Sequence, residues 1–152
     1  MFVEVKTDSF GTTRHFANGV LHRDDGGPAV THKNGILEFY QFGVLHRDRG
    51  PAVIYPRDGI PGDVDEYWYF LGELHRDNGP AVISKDEHTM WYQHGKLHRT
   101  DGPAIVSHVT GSEHWYKDGE RHRQDGPAVT LRTGEKKYFW YGIEYPELPK
   151  DA

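Results

Sequence analysis

Histidine, arginine and a carboxylate recur within a few residues of one another along this chain. "LHRDDGGPAV" begins at Leu21, "LHRDRGPAVI" at Leu45, "LHRDNGPAVI" at Leu74, "LHRTDGPAIV" at Leu97 and "RHRQDGPAVT" at Arg121. A base, a cation and an acid at this spacing suit acid–base chemistry, with His as base, Arg as electrostatic stabiliser and Asp as orienter. Such a set needs one concave site, whereas here it is written five times. In the second copy the last carboxylate slot holds Arg49. The expectation is a protein that is not an enzyme and has no catalytic residues.

Two binding chemistries remain. His22, His46, His75, His98 and His122 are equivalent across the copies. On a strand ladder, equivalent residues two strands apart lie roughly 10 Å from each other. Zn–N bonds are about 2.0–2.1 Å, so these histidines cannot share an ion. His15, His32, His88, His94, His108 and His114 follow no ligand motif. No metal and no cofactor are expected. Arg23, Arg47, Arg76, Arg99 and Arg123 form a cationic ladder suited to phosphate. Aromatic neighbours could stack bases, which makes a nucleotide or cyclic nucleotide an alternative ligand. Most of these arginines have a carboxylate in their own segment, which lowers the local charge.

A structural reading fits the same residues better, because what recurs in every repeat builds the repeat. Gly26, Gly50, Gly79, Gly102 and Gly126 are expected to supply positive φ. Pro28, Pro51, Pro80, Pro103 and Pro127 hold the following chain extended. Ala29, Ala52, Ala81, Ala104 and Ala128 predict close packing. Asp25, Asn78, Asp101 and Asp125 can close Asx-type turns. Arg would donate to carbonyls of the adjoining unit, and His would bridge its own turn.

The positioning elements follow from a second periodicity. Gly19, Gly43, Gly72, Gly95, Gly119 and Gly142 are spaced by 24, 29, 23, 24 and 23 residues, a repeat architecture's signature. Three residues before each stands Phe16, Tyr40, Tyr69, Tyr92, Tyr116 or Phe139. The residue before that is His15, Phe39, Trp68, Trp91, Trp115 or Tyr138. Each unit reads as a branched apolar strand such as "PAVIS", a turn often with Gly, and an aromatic strand such as "HTMWY". No stretch carries a helical period. The fold class is all-β: an elongated, twisted antiparallel meander of stacked hairpins, about five to six units of 23–29 residues. Residues 1–152 form a single repeat domain, with an N-terminal capping hairpin at 1–18, the array at 19–141 and a C-terminal cap and tail at 142–152. A lone unit could not offset roughly 1–2 kcal/mol of backbone entropy per residue, so stability must arise between neighbours.

"YQHGKLHR" from Tyr92 and "FANGVLHR" from Phe16 place an aromatic, a turn glycine and a histidine in the order found in MORN repeats. The chain resembles that family over residues 11 to 145. It departs from it where the MORN His-Gly-x-Gly is replaced by His-Arg-x-Asp-Gly-Pro-Ala, as in repeat proteins of phages, giant viruses and some bacteria. The resemblance implies stacked hairpins that bind and scaffold. It also implies a phage or viral accessory role, such as inhibiting a host defence protein.

The formal charge of −5 argues against binding double-stranded nucleic acid. No apolar run approaches the roughly 20 residues of a membrane span. There is no cysteine, and "MFVEVKTDSF" lacks a signal-peptide pattern, so a cytoplasmic setting is expected.

If the recurring residues build the scaffold, function belongs where copies differ. The largest break is "YPRDGIPGDVDEYWYF", which enlarges one unit to 29 residues and should project as a loop. It offers Tyr55, Arg57, Asp58, Asp63, Asp65 and Glu66. The slots just before the turn glycine differ as well: Phe42, Phe70, Leu71 and His94 are the candidates there. Together these residues predict a surface for a protein partner. A structural or assembly protein that oligomerises through strand edges is the third alternative.

Overall fold

The computed structural model describes residues 2–57 and 62–148. Among the described residues the regular elements are 22 β-strands of two to five residues, paired antiparallel. No helix among the described residues is long and apolar enough to cross a membrane. The chain divides into two compact units, Met1–Leu74 and His75–Ala152.

Within each unit the strands succeed one another across the sheet in chain order. In the first the order is Val3–Thr7, Thr13–Ala17, Val30–Thr31, Leu37–Glu38, Val53–Pro56 and Val64–Tyr67. In the second it is Val82–Ser84, His88–Met90, Ile105–Ser107, Glu113–His114, Val129–Thr130, Lys136–Trp140 and Ile143–Tyr145. This is the all-β antiparallel meander of hairpins that the glycine and aromatic spacing predicts.

Each copy carries a second, smaller hairpin where the sequence suggests only a turn and a linker. Tyr92–Gln93 pairs with Lys96–Leu97, in the register Tyr92↔Leu97. Tyr40–Gln41 pairs likewise with Val44–Leu45, Tyr69–Phe70 with Glu73–Leu74, and Tyr116–Lys117 with Glu120–Arg121. The residue that precedes His-Arg is therefore a strand residue in these copies.

The bend between large and small hairpin falls at the first aromatic of each pair. The backbone N–H groups of His15, Phe39, Trp91 and Trp115 donate at 2.7 Å to Ala29, Ala52, Ala104 and Ala128 of the following segment. Their carbonyls accept from His22, His46, His98 and His122 at 3.0–3.1 Å. The backbone thus leaves the ladder without losing its hydrogen bonds. Further bonds join successive copies. Gly43 N–H donates to Leu21, Gly72 to Leu45 and Gly119 to Leu97, at 2.8–2.9 Å.

The interior is thin. Ala29, Ala52, Ala81, Ala104 and Ala128 are wholly inaccessible. The valine after four of them, Val30, Val53, Val82 and Val129, is nearly so. Among the described residues no large side chain is fully buried. The small residue predicted to mark close packing does mark it.

The insertion is not a plain loop. Its flanks lengthen a hairpin through the pairs Tyr55↔Asp65 and Pro56↔Val64, beyond Val53↔Tyr67 and Ile54↔Glu66. Val64, Asp65, Glu66 and Tyr67 continue the ladder, so part of the added length becomes strand.

Candidate functional site

The small hairpins end in two-residue tips in which both residues are left-handed. Asn18 and Gly19 have φ of 49° and 83°, Phe42 and Gly43 49° and 83°, and Leu71 and Gly72 49° and 84°. His94, Asp118 and Tyr141 follow at 47°, 52° and 45°. This is the type I′ geometry that fits the twist of a hairpin, and it favours Asn or Asp followed by Gly. Asn18 and Asp118 satisfy that rule. Phe42, Leu71, His94 and Tyr141 break it, at roughly 1–2 kcal/mol each.

What holds the strained tips is the recurrent histidine. The Nδ1 atom of His22 accepts the Phe42 N–H at 3.0 Å, and that of His46 accepts the Leu71 N–H at 3.0 Å. His75 serves His94 at 3.1 Å and His122 serves Tyr141 at 3.2 Å, whereas His98 Nδ1 lies 2.9 Å from the Asp118 carboxylate and engages that tip through its side chain. In the first three copies Nε2–H donates to Asp24, Asp48 or Asp77. Both ring nitrogens are then engaged, Nδ1 by the tip and Nε2 by the carboxylate, which fixes the orientation of the ring. The repeat pattern predicts that His bridges its own turn and that Arg reaches the adjoining unit. The histidine side chain does both, bridging its own turn in the first three copies and reaching the next tip, while the arginine side chain stays within its own segment. The signal is present in the spacing: the His-to-tip separation is 20, 25, 19, 20 and 19 residues, and it lengthens with the insertion.

Arginine works within its own segment. Arg23, Arg47, Arg76, Arg99 and Arg123 each donate from Nη1 to the carbonyl of the following proline at 3.1–3.4 Å. The guanidinium lies over Phe39 at 3.8 Å for Arg47, over Trp91 at 4.0 Å for Arg99 and over Trp115 at 3.9 Å for Arg123. Nε donates to Asp25, Asp101 or Asp125 at 2.6–2.8 Å, and this hydrogen bond holds those carboxyls below their usual range. The glycine before proline leaves room for the guanidinium. A Cβ on Gly102 would lie 2.6 Å from Arg99 Cζ, and one on Gly126 2.9 Å from Arg123 Cζ. These two glycines do not have the positive φ expected of them. Space requires glycine there. In the first copy that role falls to Gly27, beside Arg23, and not to Gly26.

The first unit concentrates apolar side chains on its tips. Phe42 is 73 % exposed, Leu71 64 %, and Val20, Val44 and Phe70 about 40 %. Successive tips approach each other: a Cβ on Gly43 would lie 3.7 Å from Val20, and one on Gly72 3.6 Å from Val44. The rings of Phe42 and Phe70 rest on His22 and His46 at 4.5 and 4.7 Å. In the second unit the corresponding tip positions hold His94, Lys96, Asp118 and Glu120, before apolar residues return at Tyr141 and Ile143. His94 stacks on His75 at 4.3 Å.

The insertion residues stand apart from the tips of their own copy. The strand segments Val64–Tyr67 and Tyr69–Phe70 run from the insertion at one end to the Leu71 turn at the other. Tyr55 packs edge-on against Tyr67 at 5.4 Å. Arg57 lies 3.8 Å from Asp63 and 3.7 Å from Asp65, and Glu66 accepts from Trp68 Nε1 at 3.0 Å. The acidic residues are therefore engaged locally, and the described residues contain no group of three or more His, Cys, Asp or Glu able to hold a metal ion. Asp58 lies outside the described residues.

Compared with family models, curated proteins and solved structures, the chain matches none.

Proposed function

We propose that this is a non-enzymatic binding protein that docks a protein partner through the tips of its first unit. The reading rests on one observation: Phe42 and Leu71, both bulky and exposed, occupy left-handed turn slots where asparagine or aspartate would be less strained. Unfavourable backbone conformations persist where they serve function. An exposed apolar patch of this kind is a common mark of protein interfaces. Val20, Val44 and Phe70 complete the patch. The resemblance to MORN-like repeats of phages and giant viruses supports a host-directed accessory role, with a host defence protein as the partner to seek first.

The test uses the opposed signs of stability and binding. The double variant Phe42→Asn, Leu71→Asn relieves two strained tips and should raise stability by roughly 0.5–1 kcal/mol per site in chemical denaturation. The same variant should lose a partner that the wild-type protein retains from host lysate. Equal recovery of that partner by both proteins would remove the tips from the interface. A wild-type dimer in solution that the variant abolishes would make the partner a second copy of this chain.

A further inference from the structure

The second copy departs from three of its four sisters at one atom pair, the third having Asn78 in the same slot. In the first, fourth and fifth copies the Arg Nε–H is capped by Asp25, Asp101 or Asp125. The second copy has Arg49 in that slot, and among the described residues no carboxylate caps Arg47. Arg47 is nonetheless held in place by the Pro51 carbonyl at 3.2 Å and the Phe39 ring at 3.8 Å. Its planar edge is thus preorganised and uncompensated. Burial pushes the Arg47 guanidinium below its ordinary pKa. The nearest acid in the segment, Asp48, is engaged by His46 Nε2 at 3.0 Å. A cleft of about 420 Å³ is lined by Arg23, Phe39, Gln41, Arg47, Asp48 and Arg49 among others.

We propose that the cleft at Arg47 and Arg49 binds a small soluble phosphate monoester, whose oxygens take the place that an aspartate carboxylate fills in the first, fourth and fifth copies. Those copies show directly that an oxyanion fits against the guanidinium edge. A second guanidinium in place of the carboxylate favours a ligand with more charge and more acceptor oxygens than a carboxylate has. Gln41 adds a side-chain amide for further hydrogen bonds. The site does not rest on the docking tips, and its failure would leave that reading untouched.

The test follows the Arg Nε–H resonances of the intact protein while inorganic phosphate or AMP is added. The Arg47 resonance should shift saturably at sub-millimolar ligand, while those of Arg99 and Arg123 stay in place. Tighter binding of AMP would identify an organic ester as the ligand, and equal binding would assign recognition to the phosphate alone. Arg49→Asp should weaken binding about tenfold or more, a change of about 1.4 kcal/mol. That variant restores the pairing of the first, fourth and fifth copies, so its fold should be retained, which the same spectra check. Conversely, Asp101→Arg should create a second responsive arginine at Arg99. No shift at roughly ten millimolar of either ligand, equal shifts at all arginines, or unchanged affinity in Arg49→Asp would each overturn the proposal.

Discussion

Gly102 shows how one missing methyl group can order a larger side chain. With no Cβ there, the Arg99 guanidinium sits close to the glycine and 4.0 Å from the centre of the Trp91 ring while donating to Asp101 and Pro103. Gly102→Ala would push Arg99 off this position and should cost roughly 1–3 kcal/mol. A Cβ on Gly111 would meet no atom within 4 Å, but the φ there is 67°, so its alanine variant tests backbone strain alone. A double-mutant cycle with Arg99→Ala separates the causes. The Gly102→Ala cost should shrink once Arg99 is truncated, and an additive result would refute the space argument.

At the scale of the hairpin, neighbouring copies share the load. Tyr92 lies in a copy that others precede and follow in the chain, whereas Phe139 belongs to the last one. Tyr92→Ala should therefore destabilise more than Phe139→Ala in chemical denaturation, and equal losses would count against copy-to-copy stacking. Much of this level is legible in the sequence. A left-handed turn needs glycine locally, and an aromatic at a fixed offset marks the strand that enters it, so Gly19, Gly43 and their equivalents locate the tips. The two-residue return strands are not legible, because Lys96–Leu97 is too short to show a period. The histidine lock is not legible from residue types, since its partner is a backbone N–H some twenty residues away. Phe42 and Leu71 stand out because they differ from Asn18 and Asp118 in the same slot. The acidic residues of the insertion are harder to read, because only register brings Arg57 near Asp63 and Asp65.

For the molecule as a whole, titration should narrow stability from both sides. Burial is the main cause holding His15, His114 and His122 below their ordinary value of 6.5. The unfolded chain therefore binds protons first, and stability should fall as pH drops from about 6.5 through the folded-state values. A second loss should begin below about 3.8, where Asp8, Asp25, Asp101 and Asp125 lose hydrogen bonds made chiefly by arginines. On the alkaline side, burial and then Glu38 push Tyr40 up to about 12. The unfolded phenol ionises earlier, near 10, so stability should decline as pH rises from there towards 12. Denaturation midpoints that stay flat from pH 7 to about 4.5 would contradict the histidine contribution. The lock between copies carries one more consequence. In four of the five copies the histidine grips a main-chain amide, a group that every amino acid except proline presents alike. The grip is therefore blind to the identity of the residue displayed, and selection can rewrite the tips one by one, as on a combinatorial display, without altering the fastening beneath them.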